Sequence, residues 1–217
     1  MKEKRKMKEK VKEFIVKNLK WIILFICLIG FLAIAEDVFN KEIMNGDIIG
    51  YKLISTFLIS DFATPIAKFI TNFGGAIFLT ILTIILFILI KNKKIGLSIF
   101  SNLVIITALN QLLKNILQRP RPTEYRIINE AGYSFPSGHS MVSMAFYGFL
   151  IYLIYKNVKN KYLKWGLIAL LSLLILLIGL SRIYLGVHYT SDVIAGFLVS
   201  VSYLIIFTHF LPRKNNK

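Results

Sequence analysis

The stretch Phe69-Ile-Thr-Asn-Phe-Gly-Gly-Ala-Ile-Phe-Leu-Thr-Ile-Leu-Thr-Ile-Ile-Leu-Phe-Ile-Leu-Ile90 carries no charge, and Lys91-Asn-Lys-Lys94 closes it. Its length matches the ~20 residues a helix needs to cross the ~30 Å hydrocarbon core of a bilayer. Working outward, five more runs read the same way: Trp21–Ala35, Ile95–Leu113, His139–Tyr155, Trp165–Ser181 and Asp192–Leu211. The first is short, and Ile15, Val16 and Leu19 extend it while Lys17 and Lys20 snorkel. The chain is 56% apolar over 217 residues, with a mean hydropathy of +0.65. A soluble domain has about 45–50%. These runs exclude a soluble enzyme, a disordered chain and a disulfide scaffold. The single cysteine, Cys27, lies within an apolar run and has no partner for an intramolecular disulfide.

The net charge of +16 invites a nucleic-acid reading, but its distribution argues against one. Of 27 Lys and Arg, nine lie in residues 1–20, three in 91–94, four in 156–164 and three in 213–217. These clusters alternate with less basic connections, which is the positive-inside pattern. On this reading the basic side carries the whole +16, and the other side, with eight cations and eight acids, carries none. Six spans then put both termini in the cytoplasm. The chain is expected to be a multi-pass cell-membrane protein and an all-α bundle of six transmembrane helices. A basic cytoplasmic tail (1–20) attracted to anionic lipid, a six-span domain (21–211) and a short cytoplasmic tail (212–217) are expected. No small-residue cleavage site follows the first run, which ends at Glu36-Asp37, so a cleaved signal peptide is rejected. Residues 36–65 form an outer connection without a usable signature, in which Ile48–Ile59 suits an interfacial helix.

Three outer segments hold the chemistry. They are Lys114-Asn-Ile-Leu-Gln-Arg-Pro-Arg121-Pro122, Pro136-Ser137-Gly138-His139, and Ser181-Arg182 through His188 to Asp192. All fall at span ends on one membrane face. The prolines 120, 122 and 136 prevent residues 114–138 from forming one helix. Lys114, Arg121 and Arg182 gather three cations, a costly arrangement unless an anion meets them. Arginine's fork suits phosphate oxygens and lysine adds a point charge. Ser137 and Gly138 precede a helix, so their N–H groups offer an anion site at the positive end of its dipole. His188 and Asp192 are four residues apart, within reach on one helix face. A carboxylate on one imidazole nitrogen leaves the other free to attack. His139 is the natural acid for the leaving oxygen and the later activator of water. A metal is disfavoured, because the neighbouring carboxylates are few and three cations would repel it. Arg119 and Arg126, outside the motif, read as interfacial snorkelling. His209 reads as an interfacial histidine at the cytoplasmic end, and Tyr133 and Phe135 lie beside the site.

With these residues in hand, the chain resembles the type 2 phosphatidic acid phosphatase family, membrane relatives of vanadium haloperoxidases. The family patterns K-x6-R-P, P-S-G-H and S-R-x5-H-x3-D stand intact at Lys114 to Pro122, Pro136 to His139 and Ser181 to Asp192. The resemblance implies a haloperoxidase-like helical core and no cofactor or metal. It implies His188 as nucleophile with Asp192 as its partner and His139 as acid. Lys114, Arg121, Ser137, Gly138 and Arg182 would bind phosphate. The expected activity is hydrolysis of a membrane lipid phosphate or diphosphate through a phosphohistidine at the extracytoplasmic face. Undecaprenyl diphosphate, phosphatidylglycerophosphate and phosphatidic acid are the candidates. The expected partners are that lipid and the bilayer, not nucleic acid. A lipid-phosphate phosphotransferase using the same intermediate, and a non-enzymatic lipid-binding or transport relative, are the rivals. The second rival predicts a lost catalytic residue, and none is lost.

Overall fold

A computed structural model of the chain describes residues 2–41, 44–124 and 126–211, with the backbone alone for 2–12; the expected tail from 212 onward lies outside the described residues. Eight helices follow in order: α1 (Lys2–Phe39), α2 (Asn45–Phe57), α3 (Ala63–Asn72), α4 (Ala76–Leu89), α5 (Lys93–Leu117), α6 (Gly138–Asn157), α7 (Lys161–Tyr184) and α8 (Thr190–Phe210). Asn92 and Asn160 each cap the following helix, accepting from Lys94 N at 3.1 Å and Leu163 N at 3.0 Å. These caps turn the chain at two of the basic clusters.

Among the described residues, five helices are long and apolar enough to cross a membrane on their own: α5, α6, α7, α8 and the Glu13–Phe39 part of α1. The run Phe69–Ile90 differs from the single straight span expected. It divides into α3 and α4, which meet at 48° and together would make a sixth crossing. The break has a tertiary cause. A Cβ on Gly74 would stand 2.7 Å from Ile178 Cγ2 and 3.4 Å from His139 Cδ2. Only glycine lets this backbone come so near the α6–α7 seam. Residues 2–20 are helical and run on into the first apolar run as one helix. The connection 36–65 contains α2, close to the interfacial helix expected at 48–59.

Helix α6 is central, packed against α5, α7 and α8, while α1 lies on α8 and α3 on α7. One core cluster joins α4, α5, α6 and α7 through Leu79, Ile99, Phe146, Phe149 and Ile178. A second joins α1, α5, α6 and α8 through Phe31, Ile106, Met141, Ala145 and Ala195, with Phe135 beneath the site. The outer faces are apolar as well, with Phe25, Ile77, Ile88 and Phe210 all exposed. A soluble monomer rarely presents so continuous an apolar surface. Here lipid is the solvent for it, and the helices satisfy their own backbone groups. The protein is a multi-pass membrane protein.

Candidate active site

The three motif segments converge at one end of the bundle. Helix α5 stops at Gln118, in the left-handed region at φ 45°. Arg119-Pro-Arg121-Pro122 then runs without regular structure, because a residue before proline favours extended backbone. From this strip Arg121 reaches His188 and Arg119 reaches Asp192. Arg121 Nη1 lies 3.1 Å from His188 Nε2 and 3.1 Å from the Val187 carbonyl, while Nε and Nη2 donate to Gly132 O and Ala131 O. Lys114, in the last turn of α5, is buried and donates to the carbonyls of Tyr133 and Ser134.

His188 sits in the turn before α8 and is buried. Its Nδ1 is 3.3 Å from Asp192 Oδ2 and 3.3 Å from Ser134 Oγ. A guanidinium can only donate, so Nε2 accepts from Arg121 and the ring proton belongs on Nδ1, toward Asp192. Burial pushes the His188 imidazole down to about 4; Asp192 opposes that shift, and Arg182 and Arg121 add to it. The ring is therefore neutral at pH 7, with its lone pair on Nε2.

Both oxygens of the Asp192 carboxylate are hydrogen-bonded. Oδ1 accepts from Arg119 at 2.7 Å, and Oδ2 accepts from Ser134 Oγ, from Tyr189 N at 2.9 Å and from His188. Its main-chain carbonyl accepts from Ser137 N at 3.1 Å. This corrects the expectation that the Ser137 amide faces phosphate, since packing of α8 on the start of α6 takes it up. The Ser137 hydroxyl is also engaged, 2.9 Å from Ser140 Oγ. Among the described residues the next two amides, of Gly138 and His139, have no protein acceptor. They are the free N–H groups at this helix end.

Arg182 is 1% exposed and donates to Thr71 Oγ1 at 2.7 Å and to Glu130 Oε1 at 2.5 Å. Its Nε is buried without a partner. Burial works against ionising Glu130, yet the Arg182 guanidinium holds that carboxyl below the usual range. A cavity of about 470 Å³ joins these groups, lined by Lys114, Arg121, Glu130, Gly138, His139 and His188. It extends between α4 and α5, where Ala76, Thr80, Leu103 and Thr107 wall it. Among the described residues no three His, Cys, Asp or Glu side chains are grouped to hold a metal ion.

Sequence reasoning misplaced Arg119. It does not snorkel: it is 8% exposed, lies 4.0 Å over the Tyr189 ring and is paired with two acids. It weighed Glu130 only as a metal ligand and passed over Ser134, Thr71 and Asp47. Asp47, an acid beside Ile48 and Ile49 in an otherwise silent connection, was the signal available for the last of these.

The PAP2 superfamily model matches residues 95–216. The phosphatidylglycerophosphatase B of Bacillus subtilis (strain 168) is 32% identical over 100 residues, 46% of this chain and 48% of that protein. The aligned part thus spans about half of that relative's length. The undecaprenyl-diphosphatase of Sulfolobus acidocaldarius is 27% identical over 202 residues, 86% of this chain and 89% of its own. The crystal structure of the transmembrane PAP2 type phosphatidylglycerolphosphate phosphatase from Bacillus subtilis has a TM-score of 0.75 at 26% identity, covering 86% of this chain and 94% of its own. By motifs, by matched length and by fold, the chain belongs to the PAP2 superfamily.

Proposed function

We propose that the protein hydrolyses a membrane lipid phosphate or diphosphate, without a metal, through a phosphohistidine on His188. The observation that carries this reading is the placement of His188 Nε2, turned away from Asp192 and toward Arg121. That nitrogen faces a cavity that also holds Lys114, Arg121 and His139. A phosphoryl group entering there meets Lys114 and Arg121 and the Gly138 and His139 amides, and Arg182, whose Nε has no partner among the described residues, is the further cation proposed to hold it. Nε2 attacks phosphorus, the P–O ester bond breaks, and His139 gives its proton to the departing oxygen. Asp192 stabilises the imidazolium through Nδ1. Water then attacks phosphorus, His139 takes its proton, the P–N bond breaks, and phosphate leaves.

The site lies at the C-terminal ends of α5 and α7 and the N-terminal ends of α6 and α8. The basic clusters 91–94 and 156–164 lie at the opposite ends of those helices. The positive-inside rule then puts both termini in the cytoplasm and the site outside, at headgroup level. The cavity between α4 and α5 suits an amphiphile whose chain stays among the helices. Phosphatidylglycerophosphate, undecaprenyl diphosphate and phosphatidic acid are the substrates proposed, the first two being named in relatives.

The test is phosphate release by the detergent-purified chain with EDTA present, across those three lipids and a soluble ester. Release that survives EDTA and vanishes in His188→Ala is expected. Full activity in His188→Ala would overturn the mechanism. Phosphorylated acceptor in place of free phosphate would make the protein a transferase.

A further inference from the structure

We propose that Arg119 and Asp47 are positioning residues, an ion-paired chain that runs from helix α2 to the Asp192 carboxylate and fixes the orientation of His188. The inference rests on His188 being the nucleophile.

The chain is closed and buried. Arg119 Nη1 donates to Asp192 Oδ1 and to Ser191 Oγ, each at 2.7 Å, and Nη2 donates to Asp47 Oδ2 at 2.7 Å. Asp47, in the first turn of α2 and 3% exposed, also accepts from Ser191 N at 2.8 Å and Ser191 Oγ at 2.9 Å. Its carboxylate therefore also caps the start of α8, and α2 is seated there so tightly that a Cβ on Gly50 would stand 2.2 Å from Thr190 Oγ1. Burial works against the Arg119 charge, but Asp192 and Asp47 prevail and raise its pKa.

The physical need is specific. A carboxylate can orient an imidazole only if it has one orientation itself. Arg119 occupies Oδ1 of Asp192, which leaves Oδ2 for His188. Asp47 occupies the other arm of the fork, so the guanidinium plane cannot swing away. The two arms need the planar geometry of arginine, which an ammonium cannot copy. Both arms of the Arg119 fork are taken by Asp192, Ser191 and Asp47, so it acts through Asp192 rather than on phosphate. Its charge reaches the reaction by one route. It offsets part of the Asp192 charge that favours the His188 imidazolium. The other charged groups around His188 are Arg182 on α7, His139 on α6, Lys114 on α5, and Arg121 and Glu130 in the 118–137 segment.

The test compares kcat, KM and the pH profile of kcat/KM for the full chain in detergent, with phosphatidic acid as substrate. Arg119→Met is expected to lower kcat about a hundredfold, as for a misplaced reacting group, with KM near wild type. Its acid limb moves to higher pH, because an uncompensated Asp192 holds the His188 proton more strongly. Arg119→Lys returns the limb to its wild-type position, since the charge is present, but recovers kcat only in part. Asp47→Asn lowers kcat without moving the limb upward. Wild-type kcat and limb in Arg119→Met, or a lower kcat with an unmoved limb, overturns the proposal. If Arg119→Met does not fold, the same criteria apply to Arg119→Lys and Asp47→Asn: wild-type kcat in both overturns it. His188→Ala in the same assay separates the two levels. Its activity, if retained, removes the phosphohistidine reading; its loss, beside an unaffected Arg119→Met, removes only the positioning chain.

Discussion

Arg121 Nη1 stands 3.1 Å from His188 Nε2, on the nitrogen opposite the one that faces Asp192. In the proposed mechanism the same guanidinium covers the attacking lone pair before substrate arrives and turns to the phosphoryl oxygens once it does. Arg121→Ala is expected to raise KM for a lipid phosphate by about 10- to 100-fold, the equivalent of one charge-assisted hydrogen bond of ~1.5–3 kcal/mol. Steady-state kinetics checks this, and an unchanged KM would place phosphate elsewhere.

The pH dependence follows from the burial of His188. Its imidazole, lowered to about 4, is the nucleophile only when neutral. The free-enzyme profile, kcat/KM, should thus hold down to mildly acidic pH and fall as pH drops through about 4. A bound phosphate brings negative charge to the ring and favours the protonated form. The acid limb of kcat should accordingly lie at higher pH than that of kcat/KM. Limbs in the reverse order would contradict the assignment.

His139 and His188 line one cavity, and in the proposed mechanism His139 is the acid. His139→Gln is expected to cost about 10²–10⁴ in kcat with a lipid alkoxide leaving group. With p-nitrophenyl phosphate, whose leaving group needs no proton, most of the loss should disappear. An equal loss on both esters would show that His139 acts otherwise.

The break between α3 and α4 gives a test of packing. In Gly74→Ala the new methyl meets Ile178 Cγ2 at 2.7 Å, and overpacking of this kind costs about 1–3 kcal/mol. The variant should melt earlier in detergent and lose activity, because the same methyl lies 3.4 Å from His139 Cδ2. Wild-type melting would mean that the seam yields.

The apolar runs were readable because lipid leaves no room for charge along a spanning helix, and the basic turns reported their ends. The motif residues were readable because spacing alone puts His188 and Asp192 on one turn. The α3–α4 bend was not, since Gly74-Gly75 is as uncharged as the residues beside it and the neighbour that crowds it, Ile178, is far along the chain. Arg119 was misread for the same cause. Its partners Asp47 and Asp192 lie 72 and 73 positions away, and only the fold brings them to one guanidinium. Ser137 shows the limit of a local rule, because its amide, free in an isolated helix start, is taken by the α8 backbone.

That last bond makes Asp192 a gauge between two walls. Its side chain sets the His188 ring while its main-chain carbonyl holds Ser137 and hence the first turn of α6. The gap that a phosphorus atom must fill is therefore measured from a single residue. A sideways slip of α8 would carry nucleophile and anion-binding helix end together, keeping their separation constant. Asp192→Asn preserves this ruler while removing the charge, so it isolates the electrostatic share of the residue's work from the metric one.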